Sequence, residues 1–390
     1  MSTFLVRNAR IVVPGERILS GDVLVREGKM VEIGAVSASA AAGAPVFDAE
    51  GRLLTPGLID VHTHGVMQSL YEAGAWETRS ALRALPQFGV TTVLPTIIPH
   101  DNPECLARLA EIVAVLPSIR EVNVPGLHLE GPFMTVGGAA CPTLPGDVAL
   151  LERLFAACAG RIAAMSLSPD APGIVPVIRR LAERDVRVFL THTRAGVEDT
   201  EQAIAAGARH ATHFYNVFYP PAETEPGVRP VGAVETILAD PRVSVDFIAD
   251  GVHVHPMAIR AAVAAKGWQG VLLITDSNIG AGLPPGVYPT PWGFSVRVSP
   301  RTAARHATQN TLAGSALTMD RGVANLLQWL SLPPEQVWAM ATLNPARLLG
   351  LAGKGRMQVG ADADLVLWDA DLTARRTWVN GNTVYEKNVV

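Results

Sequence analysis

Between residues 57 and 276 the chain alternates eight short apolar runs with segments of helical periodicity, and this alternation constrains the fold more than any other feature. The runs are Gly57–His62, Thr91–Thr96, Val122–Glu130, Ile162–Leu167, Val186–His192, Arg209–Phe214, Val243–Ala249 and Val271–Asp276. Short, continuously apolar runs suit parallel strands buried on both faces. Thr78–Phe88, Pro103–Leu116, Gly173–Arg184 and His255–Lys266 carry helical spacing between them. Eight such units predict an α/β fold, a closed (β/α)8 TIM barrel. An open doubly wound sheet is the alternative, and no glycine fingerprint after the first run supports it.

The chain ends break this rhythm. Phe4–Val6, Ala9–Val13, Val23–Val25 and Val31–Ile33 read as short strands separated by Pro14-Gly15, Gly21-Asp22 and Glu27-Gly28-Lys29. Asp364–Trp368 and Thr377–Val379 follow the same pattern, and Asn380-Gly381 after them is a strong two-residue hairpin signal. Neither end has enough strands to cover its own apolar face. Residues 1–55 and 351–390 are therefore expected to combine into one small β-sandwich domain beside a barrel at 56–350.

Composition narrows the partners. Thirty-two basic against 36 acidic residues give a formal charge of −4 with no basic stripe or acidic tail, which argues against nucleic acid and membrane surfaces. Met1 to Ser20 lacks an uninterrupted apolar leader. Cys105, Cys141 and Cys158 cannot pair completely, so reduced thiols and a cytoplasmic setting are expected.

In a (β/α)8 barrel the working groups stand at the C-terminal ends of the strands. The first run ends in Asp60-Val61-His62-Thr63-His64, the third in Glu130, the fifth in His192, the sixth in His213 and the eighth in Asp276. His62 and His64, two residues apart on a strand, point to one side. Four imidazoles and two carboxylates form a nitrogen and oxygen set suited to Zn²⁺, with Fe²⁺ or another divalent transition metal as alternatives. The set can hold one ion or two, with Glu130 as the bridge. Such a metal lowers the pKa of water and polarises a carbonyl, and Asp276 can carry the proton from water to a leaving nitrogen. This predicts hydrolysis of a carbon–nitrogen amide bond. His253 overlooks the same mouth, where it can meet a substrate carbonyl or hydroxyl. His128 is expected to be a hydrogen-bonded core residue, and His100, His210, His255 and His306 to be helix or loop residues without a role. Cys141 reads as a structural thiol, since nothing beside it supplies a base. Phe214, Tyr215, Phe218 and Tyr219 line either a substrate pocket or an oligomer contact.

Pro56-Gly57-Leu58-Ile59-Asp60-Val61-His62-Thr63-His64-Gly65 resembles the first-strand signature of the amidohydrolase superfamily. His128-Leu129-Glu130-Gly131-Pro132-Phe133 is more particular and resembles the N-acetylglucosamine-6-phosphate deacetylase family. Thr212–Asn216, Ile248–His253, Ile274–Asp276, Thr311–Ser315 and Asn344–Arg347 fit that family in order. The resemblance spans nearly the whole chain. It implies a deacetylase of an N-acetylated sugar or related small N-acyl compound, metal ligation by Glu130, His192 and His213, catalysis by Asp276, and a homodimer. It also places His253, Asn216, Val217, Arg229, Leu312 and Ala313 against the substrate. With His62 and His64 both present, the chain resembles the two-metal members.

Two departures concern the phosphate. Thr224 stands where the family has a basic residue before Glu225-Pro226-Gly227, with Arg229 as the nearest substitute. The run Gly137-Gly138-Ala139-Ala140-Cys141-Pro142 stands where the family has a histidine aimed at the substrate. A weakened grip on phosphate is expected. Hydrolysis of a cyclic amide or N-acyl amino acid by the same machinery is the rival activity, and a catalytically silent scaffold the rival class.

Overall fold

In the computed structural model, which describes residues 3–138, 141–300 and 303–388, the eight runs form one parallel sheet. Its strands are β1 (Leu58–Thr63), β2 (Val90–Ile97), β3 (Leu127–Glu130), β4 (Ile162–Leu167), β5 (Arg187–Leu190), β6 (His210–Ala211), β7 (Ser244–Ile248) and β8 (Val271–Ile274). They pair in chain order from β1 to β8. No order reversal of the doubly wound kind occurs. Main-chain bonds at the strand ends join β8 back to β1. Asp276 N–H donates to His62 O at 2.8 Å, and His64 N–H donates to Ser277 O at 2.8 Å.

The outer layer includes α1 (Ala75–Ala84), α2 (Pro103–Val115), α3 (Val148–Ala157), α4 (Ile174–Glu183), α5 (Val197–Ala206), α6 (Ala233–Ala239), α7 (Pro256–Lys266) and α8 (Met319–Trp329). Their starts follow local chemistry. Asn102 accepts the Cys105 N–H ahead of Pro103 at the head of α2, and Asp147 accepts from Ala149 and Leu150 at the head of α3. On α4, Ile174, Val177, Ile178 and Leu181 are buried, the spacing of one apolar face laid on the sheet.

Several runs yield shorter strands than their apolar stretch suggests. The ladder ends early because His192, His213 and Asp276 take φ of 48°, 36° and 45°, which turns the backbone out of the sheet. The barrel interior is polar where an aliphatic stack would serve. His128 donates Nδ1–H to Val61 O at 3.1 Å and pairs with Ser166 through Nε2, as its core role predicted. His210 lies on β6, not on a helix or loop, and its Nε2 sits 2.7 Å from Asp246 Oδ2 on β7. Phe189 separates the two imidazoles, with ring centroids at 5.1 and 4.5 Å.

Both chain ends share a second sheet. Its order is Asn382–Glu386, Ala374–Val379, Leu365–Trp368, Leu53–Pro56, Thr3–Val13, Arg17–Arg26 and Lys29–Gly34, with Val46–Asp48 also paired to Thr3–Val13. Phe4 and Trp378 stack at 5.4 Å although two strands lie between theirs. Strands three places apart in a flat sheet are separated by about 14 Å, so the sheet must fold over its own core. Alternation divides Leu365–Trp368 between two environments. Leu365 and Leu367 join the core of this sheet, while Val366 and Trp368 pack with the barrel.

Two glycines behave differently from each other. Gly21-Asp22, read as a turn, lies inside the strand Arg17–Arg26, and a Cβ at Gly21 would stand 2.8 Å from Gly34 Cα. The residue marks a close backbone approach, not a reversal. Asn380-Gly381 does turn the chain, with φ of 47° and 73°. Gly89, at φ 78°, precedes β2, and a Cβ there would meet the Trp368 indole at 2.3 Å. Trp368 is buried and its Nε1–H is held by Thr55 Oγ1 at 2.9 Å. Gly89→Ala is expected to destabilise by about 2–4 kcal/mol from crowding plus left-handed strain. Thermal unfolding checks this, and an unchanged midpoint would mean the indole swings aside freely.

Candidate metal centre

Glu130, the last residue of β3, is the focus of the barrel mouth. Its Oε1 lies 3.7 Å from His62 Nε2, 3.5 Å from His192 Nε2 and 3.2 Å from His213 Nε2. His64 Nε2 reaches Oε2 at 3.1 Å. Asp276 Oδ1 stands 3.5 Å from His62 Nε2 and 3.3 Å from His64 Nε2. All six residues expected at strand ends are thus brought together, and all four imidazoles present the same nitrogen. Glu130, His62, His192 and His213 are buried, whereas the His64 and Asp276 side chains keep 14% and 21% exposure. The open side of the cluster is therefore the His64 and Asp276 side.

The outer nitrogens are held from behind. His192 donates Nδ1–H to Val136 O at 3.0 Å and His213 donates Nδ1–H to Asn216 O at 3.1 Å. A carbonyl only accepts, so in the neutral rings Nε2 carries the lone pair and turns it toward a carboxylate. His62 Nδ1 meets Thr212 Oγ1 at 2.7 Å, and its fully buried Nε2 has no hydrogen-bond partner. Inward lone pairs, two carboxylates and an orphaned buried nitrogen form a donor set that needs a cation at its centre. His62, His64 and Glu130 place ligand atoms within 4.8 Å of one another, and so do Glu130, Cys141 and His192.

The charges respond to one another. Burial opposes ionisation of Glu130, but the surrounding imidazoles, His62 foremost, hold its carboxyl well below the usual range. Asp276 is held at about 2 against burial by His62 and His64. His64 is raised well above its ordinary value by Asp276 and Glu130, and His213 to about 9 chiefly by Glu130, in both cases against burial. Burial, then Glu130 and Asp276, push the Cys141 thiol up. A bound cation inverts this field.

The expected substrate residues are distributed as follows. His253 follows β7, and its Nδ1 lies 2.6 Å from Asp250 Oδ2, which orients the ring. Asn216 and Val217 form the turn behind His213. Val217, at φ 60°, is an unusual conformation for a β-branched residue, and its carbonyl accepts the Thr193 N–H. Leu312 and Ala313 belong to an excursion between β8 and α8, tied to Arg305 and Ala304 and held beside β8 by pairing of Ser277 with Ser315. Arg229 is committed elsewhere: its Nη2 lies 2.5 Å from Glu235 Oε1 and its side chain is 82% exposed. Phe214 and Phe218 pack into the core, with Tyr215 against Phe214 and Phe247 and only Tyr219 on the rim beneath Arg194. His255 caps α7, His306 lies on a short strand and His100 is exposed in a loop. Ala139 and Ala140 lie outside the described residues.

Sequence reasoning missed three supports. Asp60 accepts from Thr275 Oγ1 at 2.6 Å, and its carboxyl is raised to about 7 by burial. Its place two residues before His62 on the same strand face was the available signal. Asp246 accepts the His213 main-chain N–H and holds His210; a carboxylate in the apolar run Val243–Ala249 was its signal. Cys141, read as structural, has its Sγ within 4.8 Å of a Glu130 oxygen and a His192 nitrogen.

Asp246→Ala strands the His213 N–H and His210, and metal affinity is expected to fall roughly 10- to 100-fold. In Asp246→Asn the amide oxygen can still accept from His213, so most affinity should return. Chelator competition measures both, and equal affinity in Asp246→Ala would remove Asp246 as the support of His213.

The profile of the Amidohydrolase family matches residues 53–384. N-acetylglucosamine-6-phosphate deacetylase of Bacillus subtilis is 31% identical, covering 98% of this chain and 97% of its own. N-acetylgalactosamine-6-phosphate deacetylase of Escherichia coli O157:H7 is 33% identical over 86% of this chain and 89% of its own. The solved structure of N-acetyl-D-glucosamine-6-phosphate deacetylase from Mycobacterium smegmatis superposes with a TM-score of 0.85 at 28% identity, covering 98% of this chain and all of that one.

Proposed function

The chain belongs to the amidohydrolase family, and from that premise we propose that it is a metal-dependent deacetylase of N-acetylated amino sugars, cleaving the C–N bond of the acetamide. The observation that carries this reading is the convergence of four Nε2 atoms on Glu130 with His62 Nε2 left without a partner. The relatives named above act on N-acetylhexosamine 6-phosphates, which supports that substrate class.

His62, His64, Glu130, His192, His213 and Asp276 would hold one divalent ion or two. Nitrogen and carboxylate donors at a barrel mouth suit Zn²⁺ best. A cation bound there supplies Lewis acidity toward the acyl carbonyl and lowers the pKa of water at the site. Asp276 stands on the open side and is held ionised, which fits it to take a proton from the attacking water and return it to the departing nitrogen. Asp250 accepts Nδ1–H of His253 and leaves Nε2 for a sugar hydroxyl. The exposed apolar residues Tyr219, Val228 and Val231 after β6 favour a homodimer, and the incompletely pairing cysteines favour a cytoplasmic setting. No helix among the described residues is long and apolar enough to cross a membrane.

Asp276→Asn should lower kcat by about 10²- to 10⁴-fold while metal content is retained. Steady-state kinetics with elemental analysis checks this, and a near-normal rate refutes the proton-carrying role. With Thr224 neutral and Arg229 paired to Glu235, phosphate should add little. The expected kcat/KM on N-acetylglucosamine 6-phosphate lies below ~10⁵ M⁻¹s⁻¹, a modest enzyme value; a higher constant would show a phosphate grip elsewhere.

A further inference from the structure

We propose that Cys141 is a metal ligand, adding a thiolate to the ion held by Glu130 and His192. The inference rests on the metal-site reading above and deepens it. Cys141 Sγ, a Glu130 oxygen and a His192 nitrogen lie within 4.8 Å of one another, a spacing that one cation can bridge. The loop that carries Cys141 is clamped to His192 from both sides. Val136 O accepts His192 Nδ1–H at 3.0 Å, and Val136 N–H donates to His192 O at 3.1 Å. Gly138 lies so close over the ring that a Cβ would stand 2.5 Å from His192 Cε1. The chain leaving Gly138 thus starts against the ligand ring, and Cys141 follows three residues later. An independent feature points to a cation in the same place: His62 Nε2, fully buried and without a partner, faces the same Glu130 oxygen as His192.

On binding, the S–H bond loses its proton to solvent and a sulfur–metal bond forms, with no change of oxidation state. A sulfur donor shifts preference toward thiophilic ions such as Zn²⁺, Co²⁺ and Cd²⁺ and away from Mn²⁺ and Mg²⁺.

Cobalt supplies a readout apart from turnover. Metal-stripped full-length protein is loaded with Co²⁺ and its absorption recorded. Visible d–d bands report occupancy, and a near-ultraviolet thiolate-to-cobalt charge-transfer band reports sulfur ligation. The expected result is both signals in the native chain, loss of the charge-transfer band in Cys141→Ser, and retention in Cys105→Ser and Cys158→Ala. Cys141→Ser should also weaken Zn²⁺ binding at least ~10-fold in chelator competition. A native protein with d–d bands but no charge-transfer band, or a band that survives in Cys141→Ser, overturns thiolate ligation and leaves the metal site intact. No cobalt uptake by the native chain would overturn the metal-site reading together with it.

Discussion

Everything at the barrel mouth depends on an electrostatic arrangement that is unfavourable without a cation. With its Nδ1–H committed to a carbonyl, His213 turns an Nε2 lone pair on Glu130 that repels when the ring is neutral and can donate only by charging the ring, against burial. The protein holds this geometry through the carbonyls of Val136 and Asn216 and the hydroxyl of Thr212, which fix three rings from behind. A divalent ion held there would relieve the conflict, since the inward nitrogens and carboxylates would ligate it instead of facing one another. Binding the ion and stabilising the fold are therefore coupled through the same hydrogen bonds.

The position of this arrangement follows from how the barrel closes. The bonds joining β8 to β1 run from Asp276 N–H to His62 O and from His64 N–H to Ser277 O, through the residues that carry the donors. The positive φ at His192, His213 and Asp276 belongs to the same design. Strands β5, β6 and β8 leave the ladder just before the residue whose side chain turns toward the other donors, and strain of this kind persists only where neighbouring contacts fix it. Asp246 supplies such a contact by accepting the His213 N–H.

The donor set was legible in the sequence because one rule, chemistry at the ends of barrel strands, could be applied wherever an apolar run stopped. His62, His64, Glu130, His192, His213 and Asp276 all lie at such stops. The strand lengths were less legible, since an apolar run does not show where φ changes sign; the run Arg209–Phe214 contributes only His210–Ala211 to the sheet. Asp246 and His210 are paired across 36 residues, and neither implies the other from its own surroundings. Gly21 looked like punctuation because close approach and chain reversal leave the same residue in a sequence. The approach of Cys141 to Glu130 and His192 was out of reach for a similar reason: it comes from a loop folded onto His192, which no spacing encodes.

What the barrel fixes differs from what its loops decide. The donors stand at strand ends and are held by main-chain carbonyls and buried residues, so loop substitutions away from Gly138 and Cys141 leave them in place. The contacts to a substrate's remote groups come from the loops themselves. Arg229 illustrates the difference. Its guanidinium lies on a loop after β6 and is neutralised by Glu235, at the head of α6, so its availability depends on one exposed ion pair. Such a pair contributes little to stability, but while it stands the guanidinium is neutralised where a phosphate would need its charge. The loop can therefore change which sugar is bound while the hydrolytic machinery beneath it stays as it is.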